Sequence, residues 1–102
     1  MFRPINPGNR VKDPGMAAND SGVLVDVTFQ PNYILCQVAD LKYVIAKEWS
    51  TKGKLYIHIY TAREEKEFLA SARPSMSEAL RGEIAQYVTE ALTVLGIEHE
   101  LI

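Results

Sequence analysis

The chain contains one cysteine and two histidines, and no apolar run approaches the ~18–20 residues that cross a bilayer. Each scarcity excludes something. A lone Cys36 forms no internal disulfide and no cysteine-based metal cluster, which points to a reducing compartment, most simply the cytoplasm. The opening residues, MFRPINPGNR, lack the apolar stretch of a signal peptide. Neither GxxxxGK(S/T) nor GxGxxG occurs, and Lys52-Gly53-Lys54 is too short to cradle more than a single phosphate. No membrane contact, cofactor or metal site is expected.

What is present is an ordinary globular composition. With 47% hydrophobic and 24% charged residues in a chain of 102, there is material for one domain and one core, and no case for wholesale disorder. Charge is unevenly spread. Residues 1–63 hold eight Lys or Arg against five acids, a net of +3, whereas residues 64–102 hold three against eight, a net of −5. Neither half has the dense positive charge of a dedicated duplex-DNA binder.

Residues 1–22 read as a flexible N-terminal arm. They hold Pro4, Pro7, Pro14, Gly8, Gly15 and Gly22, and their apolar residues follow no period. Residues 23–102 read as a single α+β domain. In Val23–Phe29 alternate residues are apolar, the pattern of a half-buried strand. Gln30-Pro31-Asn32 supplies a turn, and the nearly continuous apolar run Tyr33–Val38 suggests a central strand buried on both faces. Lys42–Trp49 is a third strand, with a short helix as its alternative. Ser50-Thr51-Lys52-Gly53 is a hairpin signal leading into a fourth strand, Lys54–Thr61. Arg63–Ala72 suits either a short helix or an extension of the sheet.

From Ser75 the period changes. Ser75-Met76-Ser77-Glu78 matches a capping box. Leu80, Ile84, Val88, Leu92 and Leu95 then form one apolar stripe, with Gly96 just past the end. Arg81, Glu83, Gln86 and Glu90 fall on the opposite face. Ile97–Ile102 suits a last edge strand. The expected architecture is an antiparallel sheet of about four strands backed by one long C-terminal amphipathic helix.

Catalytic groupings are weak. Cys36 with His58 or His99 is the one nucleophile–base combination, yet Cys36 sits inside Ile34-Leu35-Cys36-Gln37-Val38, where a thiol is normally a small buried hydrophobe. Glu64, Glu65 and Glu67 read as a solvated first helical turn that suits the helix dipole. Glu98, His99 and Glu100 lack zinc-ligand geometry if the tail is a strand.

The most suggestive feature is the sheet face turned away from the helix. Leu24, Thr28, Tyr56, His58 and Tyr60 would line it, with Trp49 nearby, and exposed aromatic patches mark interfaces. The competing expectation is that the arm or Arg63–Ala72 folds across this face. The sequence therefore favours a non-enzymatic interaction module that self-associates, most simply as a homodimer, or binds a protein partner. A second reading makes the same face a single-stranded nucleic-acid platform, with Lys47, Lys52, Lys54 and Arg63 tracking the backbone. A third is a small-ligand binder or enzyme with its site between subunits.

Overall fold

The computed structural model describes residues 1–5 and 15–102. In chain order the elements are β1 (Arg3–Ile5), β2 (Met16–Ala18), β3 (Val23–Gln30), β4 (Tyr33–Val38), β5 (Leu41–Trp49), β6 (Leu55–Glu64), α1 (Glu65–Leu69), α2 (Glu78–Val94) and β7 (His99–Leu101). The strands form one sheet in sequence order. Every neighbouring pair is antiparallel except β6 and β7, which are parallel. The sheet curls into a half-barrel, and α2 runs through the trough close to every strand except β5.

This corrects the expected four-stranded antiparallel sheet. The sheet is mixed and has seven strands, and part of the expected arm belongs to it. β1 and β2 extend the sheet beyond β3, with Ala17 opposite both Pro4 and Val25. Ala17 is fully buried, and Phe2 is 3% exposed with its ring edge-on to Tyr87 of α2 at 6.3 Å. One buried aromatic and two cross-strand ladders anchor what composition alone reads as mobile. The middle of that arm, residues 6–14 with Pro7, Gly8 and Pro14, lies outside the described residues.

The core is the seam between sheet and helix. Val23, Val25 and Val27 of β3, Ile34 and Cys36 of β4, Ile45 of β5 and Leu55 and Ile57 of β6 meet Ile84, Val88, Ala91 and Leu92 of α2. Each large side chain among them contributes roughly 1.5–3 kcal/mol by leaving water. The helix ends as its sequence indicates. Gly96, at φ +72°, lets its N–H reach Thr93 O and the Ile97 N–H reach Leu92 O, closing the last turn. Its start differs from expectation by two residues. Ser77, not Ser75, is the cap and accepts the Leu80 N–H at 3.2 Å. Ser75 instead donates its hydroxyl to Glu67 at 2.6 Å.

Two hairpins form as their residues dictate. Gly53 adopts φ +86° after Ser50, whose hydroxyl takes the Lys52 and Lys54 N–H groups. Ala39 is held at φ +55° in the tight turn before Asp40, with the Gln37 amide on its carbonyl.

Candidate interaction surface

The outer side of the sheet is partly roofed. Tyr33, Leu35, Val44 and Arg63 come side by side through strand register. α1 lies against β5 and β6. The Phe68 ring of α1 stands edge-on to Tyr33 at 4.7 Å, and the Arg63 guanidinium lies 5.2 Å from the same ring. Leu35 and Val44 are buried although neither belongs to the helix-side core. Arg63–Ala72 thus starts as strand, turns into helix and covers the middle of this face, with Arg63 Nη1 donating to Ala72 O. At the turn into α1, the Glu67 carboxylate accepts the Glu64 N–H and the Ser75 hydroxyl, and these bonds hold its pKa below the usual carboxylate range.

The residues expected to share the outer face do not form one patch. Leu24 and Thr28 lie on β3, with β4 and β5 between them and β6. Thr28 is tied to Asp26 through its hydroxyl at 2.9 Å. Tyr56 and His58 lie together on β6, half-buried. His58 Nε2 is 3.4 Å from Glu48, and Lys54 spans Tyr56 (5.6 Å to the ring) and Glu100 (2.9 Å). Trp49 is opposite Leu55 of the core, so it hangs on the helix side at the end of β5, 43% exposed.

Tyr60 has left the outer face altogether. Between Val44 and Ala46 on β5 the register slips, so that two steps on β5 span the five from His58 to Arg63 on β6. Thr61 fills the bulge: its hydroxyl accepts the Ala46 N–H at 2.9 Å and donates to His58 O at 2.6 Å. Ala62, rather than residue 61, then returns to the core. Tyr60 is thrown to the sheet edge, 69% exposed, with the Arg81 guanidinium of α2 lying 5.0 Å from its ring. Arg81, placed by helical period on the solvent face, is in fact half-buried in this contact.

Beyond Ile57, β6 has no paired strand on the β7 side among the described residues. β7 pairs with β6 only from Leu55 to Ile57. Ile57 O accepts the Ile102 N–H at 2.8 Å on that side, whereas His58 O faces the β5 side through Thr61. Backbone groups alternate sides along a strand, so Ile59 is the next residue to present its N–H and C=O outward. Among the described residues no strand receives them. A cleft of about 340 Å³ opens there, lined by Ile59, Tyr60, Glu78, Arg81, Gly82 and Ala85. Along the same edge stand Leu101, 39% exposed, and Ile102, 52% exposed.

The basic set of the nucleic-acid reading is not brought together. Lys47 is 6% exposed and donates to Val27 O, a carbonyl within the irregular stretch of β3. Burial lowers its pKa, with Asp26 opposing. Lys54 is paired with Glu100 and Arg63 lies under α1, while Lys52 alone is exposed at its turn. Cys36 is fully buried on the helix side, and desolvation, with Glu83 adding to it, pushes its thiol up to about 12. A group so held is protonated at neutral pH and is not an activated nucleophile. His58 is on the opposite side of the sheet, and His99 is turned to Ile97 O at 2.9 Å. Among the described residues no three His, Cys, Asp or Glu side chains converge as a metal site, and no helix is long and apolar enough to cross a membrane.

Comparison with protein families, with curated proteins and with solved structures finds no match to this chain.

Proposed function

We propose that this chain is a small non-enzymatic protein-interaction module that engages another protein, or a second copy of itself, along the β6–β7 edge. One observation carries the reading: Tyr60, Leu101 and Ile102 are all exposed at the β6–β7 side of the sheet, where β7 is the outermost strand among the described residues. Unpaired strand edges bind other chains unless something blunts them, and large apolar side chains there favour contact over solvation.

The test is selective loss of a companion. The tagged chain is expressed, cross-linked with formaldehyde in cells, purified and identified by mass spectrometry together with whatever it holds. A specific companion should be recovered with the parent and with Glu90→Lys on the exposed helix face, and lost with Tyr60→Lys. Recovery of the same companion from Tyr60→Lys, or of none from the parent, contradicts the proposal. No observation favours the nucleic-acid platform over this reading, since three of its four cations already have partners within the chain.

A further inference from the structure

Whatever the β6–β7 edge binds, we infer that α1 is a latched lid, which swings off the outer sheet face as one piece and uncovers Tyr33, Leu35 and Val44 while the helix-side core stays folded. The backbone of this segment closes on itself. The Ala70 N–H donates to Lys66 O and the Ser71 N–H to Phe68 O, both at 3.1 Å. Ser71 then turns left-handed, at φ +55°, and brings the Ala72 N–H to Glu67 O at 2.8 Å. Among the described residues, no backbone–backbone bond joins residues 65–75 to β4 or β5. A unit bonded within itself moves as a rigid body about its ends. Those ends are Glu64, where β6 stops, and the exposed Arg73-Pro74 ahead of α2.

Side chains fasten the lid down. The Phe68 ring rests on Tyr33, and Arg63 holds both that ring and Ala72 O, yet no side chain of α1 is fully buried. Beneath it Val44 is 1% exposed and Leu35 8%, although neither belongs to the helix-side core. A five-residue helix with a light hold thus keeps these two side chains dry. The latch is the Glu67 carboxylate, which ties the two ends of the segment together. One oxygen accepts the Glu64 N–H at 3.1 Å, and the other accepts the Ser75 hydroxyl at 2.6 Å from beyond Pro74. Lys66 of α1 and Arg63 of β6 add to these bonds, and all four favour the ionised form. Glu64 is itself 3.7 Å from Lys66 Nζ. Among the described residues β5, the other strand under α1, adds no charge that acts on Glu67. The latch is therefore complete above the ordinary carboxylate value of 4.5 and weakens as pH falls below it. A glutamine in its place has one accepting oxygen, so one of the two donors loses its partner.

The experiment reads opening by thiol labelling of the full chain at neutral pH. Val44→Cys is made together with Cys36→Ala, and its labelling is compared with that of Cys36 in the parent across low concentrations of denaturant. Position 44 should label faster than Cys36 and respond little to denaturant, because the lid opens without the core. Adding Glu67→Gln should raise the rate at position 44 roughly tenfold. Adding Glu65→Gln removes the same charge from the same helical turn without touching the latch, and should raise it about twofold or less. Equal rates and equal denaturant dependence at positions 44 and 36 overturn the inference, since opening is then global. Equal effects of Glu65→Gln and Glu67→Gln overturn it as well. Methyl relaxation dispersion at Leu35 and Val44 needs no added thiol. It should grow in the parent as pH falls from 7 to 4 and stay level in Glu67→Gln, while the Ile84 and Val88 methyls report an intact core. The same response in both proteins contradicts the latch.

Discussion

At one edge of the sheet β1 presents Arg3, Pro4 and Ile5; at the other, β6 presents Tyr60, and β7 with the residue after it presents Leu101 and Ile102. Pro4 has no N–H to offer an incoming strand, and Arg3 beside it carries a charge, two recurrent ways of keeping an edge from pairing. Neither device occurs at the open edge, where the one charged residue of β7 flanked by His99 and Leu101, Glu100, is already held by Lys54. Both edges belong to one sheet over one core. The difference teaches that edge chemistry, rather than fold, separates a surface kept apart from one left available.

The largest effect expected from disturbing this contrast comes from the anchor of the closed edge. Phe2→Ala removes a ring packed between sheet and α2, and should cost about 3 kcal/mol in denaturant unfolding. The β1 amides should then exchange faster while those of β6 do not. A loss under 0.5 kcal/mol would mean that β1 is held by something other than Phe2.

The next effect tests the core beneath both edges and depends on pH. A folded-state thiol pKa raised from 9.0 to about 12 gives stability that is full below pH 9 and lost as pH climbs toward 12. At neutral pH Cys36→Ala should be less stable than the parent by about 1 kcal/mol, the cost of a small cavity. Above pH 9 the gap should close and then reverse, because three units correspond to roughly 4 kcal/mol. A gap that stays constant from pH 7 to 11 would show that the thiol is not held in this way.

The smallest change in stability should come from unblocking the closed edge. Pro4→Val restores an N–H, and should shift stability by about 0.5 kcal/mol or less while making sedimentation depend on concentration. Unchanged sedimentation would mean that proline is not what keeps this edge apart.

How much of this was legible in the sequence differs by element. The helix was read almost whole because its signals are local: the 3.6-residue stripe through Ile84, Val88 and Leu92, and Gly96 beyond it. Strands β3 and β6 follow from two-residue alternation and turn residues and β4 from its nearly continuous apolar run, whereas the β5 segment leaves a short helix as its alternative. β1 and β2 were missed because each is three residues long and their place depends on distant partners, Phe2 on Tyr87 and Ala17 on Val25. Nothing in Met16-Ala17-Ala18 announces a strand. The move of Tyr60 from face to edge left one trace. Apolar residues at 55, 57 and 59 are followed by Ala62, a step of three that marks a bulge. The roof over Tyr33 was foreseen as one of two outcomes, but the choice rested on a tertiary contact with Phe68 that no local pattern specifies.

Both edges can be compared in a single measurement. A photo-cross-linking amino acid is placed at Ile102 on the open edge and, separately, at Arg3 on the closed one, and the chain is irradiated in the cells that express it. The account predicts a discrete adduct from Ile102 and none from Arg3. An adduct from Arg3 alone, or equal adducts from both, would contradict it.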